Sequence, residues 1–248
     1  MGSVPKSAAL LLVALLLAVL GASVALAAEL AEPQTPPEQA PPPPPPPAPE
    51  APTPTPAPLE PAPEFPETET PVRWRESKAI GKPFAGRLVR GVELPAGGRD
   101  YYTWDGPRKV SPSRAWRRYG TDTLVATLLN VVAAHRAAHP DAPRVGIGDL
   151  SRPRGGIFDQ RFGGLGHASH QNGLDVDVYY PRRDGSERRP FKPSQVDQEL
   201  AQDLVDRFVA AGAQHVFVGP RLSLTGPRKV VSKLRHHDDH LHVRIHPD

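Results

Sequence analysis

Cysteine is absent from this chain of 248 residues, and so are several familiar catalytic motifs. Without cysteine the chain can form no disulfide, and it offers no thiolate as nucleophile or metal ligand. No HExxH occurs, which excludes the common helix-borne zinc protease site. Ser169 is not set in a nucleophile elbow, and the glycine-containing GIGDLS is not a phosphate loop. Chemistry must therefore come from other residues.

The N-terminal segment contains the longest apolar run of the chain. Residues 7–22, SAALLLVALLLAVLGA, follow Lys6 and are succeeded by small residues in SVALAA. This pattern predicts a secretory signal peptide over residues 1–28. An uncleaved membrane anchor is the alternative, but the run is short for a bilayer span. We therefore expect a periplasmic or secreted protein with no stable membrane insertion after cleavage.

Proline is concentrated in the segment that follows. Between Pro33 and Pro71 lie 19 of the 33 prolines, and seven of them are consecutive. Because this segment has few apolar side chains to bury, residues 29–72 are predicted to form a disordered proline-rich linker. Residues 73–248 remain as one domain, which is long enough for a sizeable core.

Charge is divided unevenly between linker and domain. Residues 72–248 hold 29 of the 30 basic and 19 of the 27 acidic residues, a formal charge of +10. A basic exported domain favours an anionic cell-envelope polymer as partner. Nucleic acid is not expected as a partner, because export separates the protein from nucleic acid and because the basic residues are scattered along the domain.

Hydrophobic periodicity predicts two helices. The first runs from a cap at Thr121 or Asp122 to about His139, and the second covers 195–211 with Ser194 as its cap. Strands and helices do not alternate regularly, which favours an α+β fold with a small central antiparallel sheet flanked by helices. Strands are predicted at 86–94, 100–104, 144–151, 174–180, 215–219 and 240–245, and a long glycine-rich loop at 152–173.

Two histidine-rich segments, GHASHQNGLDVD and HHDDHLHV, stand out in the domain. Residues two apart on a strand share a face, so Asp175 and Asp177 lie opposite their apolar neighbours, and so do His240 and His242. If the two strands adjoin, Asp177 and His242 converge. His170 lies in the preceding loop, which Gly173 allows to turn back tightly.

This combination predicts one zinc ion per chain. Two imidazoles and one carboxylate suit zinc, and three protein ligands leave a fourth position for water, as in catalytic sites. We expect His170, Asp177 and His242 to be the ligands. His240 would take a proton from the water, and His237 would donate to the tetrahedral oxyanion.

The strings GDLSRPRGGIF, GGLGHASHQNGLDVDVYY and HDDHLHVRI resemble the penicillin-insensitive murein endopeptidases. That family belongs to the group of lysostaphin-type, D-Ala-D-Ala-metallopeptidase and hedgehog-like zinc proteins. The group's signature, His-x6-Asp followed by His-x-His, corresponds to His170, Asp177 and the segment 240–242. The resemblance covers about residues 76–247.

The resemblance implies roles that agree with the residue pattern. It implies the same three zinc ligands, His240 as general base, and His237 in contact with substrate or transition state. It also implies that His167 is a further ligand or lies beside the ligands, and that Asp175 orients a histidine or the loop.

The function implied is hydrolysis of the D-alanyl–meso-diaminopimelyl cross-link of peptidoglycan in the periplasm. No serine nucleophile takes part, so β-lactams would not inhibit it. The chain departs from the family in lacking cysteine and in having a short segment between the Asp177 strand and the second helix. These departures leave the bond that is cleaved open.

Several alternatives remain at this point. The enzyme could be a D,D- or L,D-carboxypeptidase that trims stem peptides, or the domain could be a zinc-stabilised cell-wall-binding module without catalysis. A metal-storage or metal-sensing protein is a third hypothesis. Arg152, Arg154 and Arg161 are expected either to bind substrate carboxylates or to be plainly solvent-exposed.

Overall fold

The computed structural model describes residues 70–160 and 167–247. The predicted signal peptide, the linker up to residue 69, and Arg161 lie outside these ranges. Val72, which was assigned to the linker, packs against the hydrophobic core. Among the described residues, no helix combines the length and hydrophobicity needed to cross a bilayer.

The described part of the domain contains two α-helices and ten short strands. The helices are α1, Asp122–Ala138, and α2, Gln198–Ala210. The strands are β1, Lys78–Lys82; β2, Ala85–Val89; β3, Val92–Glu93; β4, Tyr101–Thr103; β5, Tyr119–Gly120; β6, Val145–Ile147; β7, Asp175–Tyr179; β8, His215–Val218; β9, Val231–Lys233; and β10, His240–Arg244.

Six of these strands form the central sheet, in the order β4-β6-β7-β10-β8-β9. The inner neighbours are antiparallel, as predicted, but β4–β6 and β8–β9 are parallel. The prediction of an antiparallel sheet is therefore wrong at both edges. Parallel neighbours need a long crossover, and α1 lies on the connection from β4 to β6. A mixed fold of helices and sheets is confirmed for the described residues.

One face of the sheet is the core. Val176 and Val178 of β7 and Leu241 and Val243 of β10 are completely buried in a cluster with residues of both helices. The polar residues between them face the other way, as the alternation predicted. The sheet thus separates an apolar layer from the face that carries the histidines.

The first helix begins where the sequence predicted, and the second begins later. Thr121 caps α1 by accepting a hydrogen bond from the Leu124 amide at 3.1 Å. For α2 the cap is Asp197, whose carboxylate accepts from two backbone amides at 3.2 Å, and not Ser194. Val196 is extended and fully buried in the core. Val196 thus separates a 3₁₀ turn, Pro193–Gln195, from the start of α2.

Two predicted strands are shorter than expected. The segment 86–94 is interrupted at Arg90, whose φ of 50° lies in the left-handed region. The regular strand in segment 144–151 ends at Ile147. Gly148 and Asp149 still form backbone hydrogen bonds with Asp177 of β7, and the Leu150 amide then donates to the carbonyl of Arg117.

A polar contact joins the two helices beside the core. His135 Nδ1 of α1 lies 2.6 Å from Asp203 Oδ2 of α2, and Arg207 Nε donates to the same oxygen at 2.6 Å. With His139 these residues have the types that can hold a metal. Arg207 already balances the carboxylate, however, and a metal cation there would face the guanidinium. We interpret this cluster as a structural contact.

Replacing Asp203 by Asn should destabilise the fold by about 1–3 kcal/mol, because buried His135 loses its charged partner. Burial raises the pKa of Asp203, but Arg207 and His135 outweigh burial and lower it. The stabilisation is therefore present above the ordinary pKa of 3.8 and is lost as the pH falls through the lowered folded-state value. Denaturant unfolding between pH 3 and 7 measures the change.

The matched control is Asp206→Asn on the same helix. Among the described residues, the Asp206 carboxylate accepts an exposed side-chain hydrogen bond from Gln202. Equal stability losses for the two variants, or a loss at position 203 that persists at acid pH, would contradict the assigned contact.

Candidate metal centre

The register between β7 and β10 places the two histidine-rich segments side by side. His242 is directly opposite Asp177, and His240 is opposite Tyr179. All four side chains lie on the face away from the core. The convergence predicted for Asp177 and His242 therefore occurs, and its cause is the pairing of these two strands.

Asp177 is the centre of the cluster. Its Oδ1 lies 3.1 Å from His242 Nδ1, 3.3 Å from His170 Nε2 and 3.6 Å from Nε2 of His240. Burial raises its pKa, but the positive charge available on the neighbouring histidines outweighs burial and holds the pKa well below its usual value. Asp177 is thus an ionised carboxylate surrounded by imidazoles.

His170 has one ring nitrogen committed and one unused. Its Nδ1 lies 2.6 Å from the carbonyl oxygen of Leu150, which can only accept, so Nδ1 carries the proton. Nε2 is then a lone-pair donor, and it is buried without a hydrogen bond to any described residue. The backbone of His170 has a φ of +66°, a conformation that is costly outside glycine. Preceding the strand, Gly173 has a φ of +80°, as expected.

His242 is held by Asp175, the carboxylate two residues before Asp177. Its Nε2 lies 2.9 Å from Asp175 Oδ1, while Nδ1 faces Asp177. Arg244 Nε also donates to Asp175 Oδ1 at 2.7 Å, and the amide of His170 donates to Oδ2 at 3.3 Å. These contacts lower the pKa of Asp175 to about 2 despite burial. Asp175 therefore contacts both predicted histidine ligands, the ring of His242 and the backbone amide of His170.

His167 is oriented by a carboxylate that sequence reasoning missed. Its Nε2 lies 2.7 Å from Asp149 Oδ2, and its Nδ1 lies 3.9 Å from Asp177 Oδ2. Asp149 is in turn bound by buried Arg117 through two hydrogen bonds, one of them 2.5 Å from Nε to Oδ1. In the sequence, Asp149 appears only as part of a strand-like GDLS.

These donors fit a zinc ion. His167, His170 and Asp177 each present a ligand atom within 4.8 Å of the others, and Nδ1 of His242 lies against the same carboxylate. Two or three imidazoles with one carboxylate are the donor set that zinc prefers. The buried Nε2 of His170, which has no hydrogen bond to a described residue, is the strongest single indication that these residues fit a cation.

His240 borders this cluster. Its Nδ1 lies 2.7 Å from Oδ1 of Asp239, and its Nε2 points towards Asp177. Burial lowers the pKa of His240, but the charge of Asp177 and the hydrogen bond to Asp239 outweigh it and raise the pKa. Asp239 was not singled out from the sequence, because nothing in HDDH distinguishes it from Asp238.

His237, for which a donor role is predicted, has one ring nitrogen engaged by the backbone. Its Nδ1 lies 2.7 Å from the carbonyl oxygen of Arg235, so that nitrogen holds the proton. Burial and the nearby charge of His240 lower its pKa to about 4. A neutral ring in this tautomer presents a lone pair at Nε2 and can accept a hydrogen bond there. It does not supply a donor to an oxyanion.

A large cleft contains the cluster. Its volume is about 1480 Å³, and its wall includes exposed Phe84, Phe191 and Leu234 beside the histidines. Arg152 and Arg154 do not line this cleft. Arg152 donates to the carbonyl of Ile157 at 2.9 Å. The prediction that these two arginines contact substrate gains no support from their positions.

Comparison with known proteins identifies the family. The sequence profile described as penicillin-insensitive murein endopeptidase matches residues 79–219, which is more than half of the chain. The chain belongs to the penicillin-insensitive murein endopeptidase family. The match includes His167, His170, Asp175 and Asp177 and stops before the second histidine segment. The contact between that segment and β7 is therefore known from the structure and not from the family match.

Curated members of the murein endopeptidase family show moderate similarity. The Yersinia pestis bv. Antiqua protein is 29% identical over 189 residues, covering 65% of this chain and 64% of that protein. The Pectobacterium atrosepticum protein is 45% identical over 129 residues, covering 51% and 41%. Both are named penicillin-insensitive murein endopeptidase. The chain thus spans a little under two thirds of the length of the first of these relatives.

Replacing Asp175 by Asn should weaken zinc binding about 10- to 100-fold, because such residues fix the tautomer and orientation of ligating histidines. Competition with a chromophoric chelator measures the affinity. Glu187→Gln is the matched control, since Glu187 also pairs with an arginine, Arg144, but contacts none of the clustered histidines. Unchanged zinc affinity in a folded Asp175→Asn protein would contradict the orienting role.

Proposed function

We propose that this protein is a zinc-dependent peptidoglycan hydrolase that cleaves the D-alanyl–meso-diaminopimelyl amide bond of murein cross-links. Membership of the family supports the substrate class. The observation that carries the zinc chemistry is the unused, buried Nε2 of His170 next to the ionised carboxylate of Asp177. The export signal expected from the sequence fits a periplasmic or secreted site of action.

His170, Asp177 and His242 would hold the ion, with His167 as a further ligand or as a group beside the ligands. A bound zinc supplies Lewis acidity, which acidifies water and polarises the scissile carbonyl. Asp175 and Asp149 keep the tautomers of His242 and His167 that direct Nδ1 of each ring to the centre. Each of these two rings therefore directs the lone pair of its Nδ1 towards the proposed zinc position.

His240 would act as the general base. Its Nε2 faces the cluster, so it can take a proton from the attacking water and return one to the departing amine. His237 would bind substrate through Nε2 as an acceptor, for example from a peptide N–H. This role replaces the donor role expected from the sequence.

The volume of the cleft favours an endopeptidase over a carboxypeptidase. Small-molecule pockets have volumes of about 300–1,000 Å³, whereas this cleft reaches about 1480 Å³. Two cross-linked stem peptides need more room than one peptide terminus. Lys109 and Arg235 line the cleft and supply positive charge for the carboxylates of such peptides.

Digestion of purified cross-linked muropeptides, read out by mass spectrometry, tests the proposal. We expect uncross-linked monomers to appear, and a chelator to abolish them until zinc is restored. Loss of a terminal D-alanine from monomers would instead indicate a carboxypeptidase. Binding of muropeptides with no product would indicate a cell-wall-binding module, and several weakly held ions per chain would indicate metal storage.

Replacing His240 by Ala should lower kcat about 10²- to 10⁴-fold while zinc content stays at one per chain, because the base is lost and the ligands are kept. Muropeptide cleavage and zinc analysis by mass spectrometry measure the two effects. His139→Ala is the control, since this histidine contacts Asp203 between the helices. Full activity of the His240 variant would refute its role as base.

A further inference from the structure

A chain of polar contacts leads away from His240 on the side opposite the metal centre. His240 Nδ1 lies 2.7 Å from Oδ1 of Asp239, and Arg189 Nη1 donates to Oδ2 of the same carboxylate at 3.0 Å. The three side chains are largely sheltered, with exposed fractions of 17%, 24% and 22%. Each oxygen of Asp239 thus has its own partner.

The local backbone explains how adjacent residues come to make this contact. Successive side chains on a strand point to opposite faces, but Asp239 precedes the first residue of β10. Its carbonyl accepts a hydrogen bond from the Tyr180 amide at 3.2 Å, just past the end of β7. The carboxylate is therefore free to turn back towards the ring of His240.

An ionised carboxylate can only accept hydrogen bonds, so its contact places the proton of the neutral ring on Nδ1. Nε2 then has a lone pair, and it is the nitrogen that lies 3.6 Å from Oδ1 of Asp177. The other tautomer would put a hydrogen where a base needs its lone pair. Asp239 thus controls which ring nitrogen is available.

Arg189 comes from the connection between β7 and α2, the segment that is short in sequence. Its guanidinium lies over the ring of Phe191 with 5.4 Å between the carbon and the ring centroid. This packing limits the positions of the guanidinium, which donates to Oδ2 of Asp239 and leaves Oδ1 to the ring of His240. The segment therefore contributes to the site without reaching the metal centre.

We propose that Asp239 and Arg189 are positioning residues for His240, holding its Nδ1–H tautomer so that Nε2 can accept a proton. The inference rests on the proposed function for the role of His240 as base. In that reaction a water O–H bond breaks as the C–O bond forms, and Nε2 takes the proton. The C–N bond then breaks and Nε2 gives the proton to the amine, so the ring ends as it began.

Asp239→Asn gives the sharpest test, because it keeps the shape and removes the charge. Arg189 still donates, so the amide oxygen should face Arg189 and the NH₂ group should face Nδ1 of His240. Nδ1 must then accept, and the proton moves to Nε2. Long-range ¹H–¹⁵N correlation spectra of histidine-labelled, zinc-loaded protein should show the Nδ1–H form in the unsubstituted protein and the Nε2–H form in the variant.

On cross-linked muropeptides the variant should lose kcat about 10- to 100-fold with KM within about twofold, and zinc content should stay at one per chain. Arg189→Lys should lose less than Arg189→Ala, because the lysine keeps the charge. Asp238→Asn is the matched control, since this neighbouring carboxylate binds Arg221. We expect it to keep both the His240 tautomer and the activity.

An unchanged tautomer in Asp239→Asn, or a kcat equal to that of the Asp238→Asn control, would overturn the inference. Thermal unfolding of each variant distinguishes lost positioning from lost folding. If the unsubstituted protein cleaves no muropeptide, the proposed function fails, but the spectra still decide whether Asp239 sets the tautomer.

Discussion

The antiparallel pairing of β7 with β10 is the contact on which the candidate site depends. It sets Asp177 opposite His242, and on the other face of the sheet it buries Val176, Val178, Leu241 and Val243. A shift of one residue in this register would turn the polar side chains into the core and expose the apolar ones. The hydrophobic effect that stabilises the core therefore also fixes which imidazole meets which carboxylate.

A second constraint acts on the histidines once the strands are paired. Each of the four rings nearest the centre has one nitrogen engaged by an oxygen acceptor, which leaves the other nitrogen directed inwards. Two acceptors are the carboxylates of Asp175, on β7, and Asp149, just past the end of β6. The third is the carboxylate of Asp239, the sequence neighbour of its histidine, and the fourth is the backbone carbonyl of Leu150. The pairs are His167 with Asp149, His170 with Leu150, His240 with Asp239 and His242 with Asp175.

Burying these carboxylates would be costly if they were alone, and each is accompanied by an arginine. Arg117 binds Asp149, Arg189 binds Asp239 and Arg244 binds Asp175. An unpaired buried charge costs several kcal/mol, and the arginines offset that cost for the buried carboxylates of Asp149 and Asp175. Three arginines of the domain thus support the histidines through the carboxylates that the rings contact.

The sequence by itself determined the two histidine segments, the face on which each side chain of β7 and β10 lies, and the first helix with its Thr121 cap. These features depend on residues close together in the chain, where periodicity and hydrogen-bonding type are sufficient evidence. Tertiary structure alone decided the parallel edges of the sheet, the start of α2 at Asp197 and the contact of the His237 ring with the carbonyl of Arg235. It also decided the roles of Asp149 and Asp239, because a carboxylate acquires a role from the ring it meets, and those meetings depend on how distant segments pack.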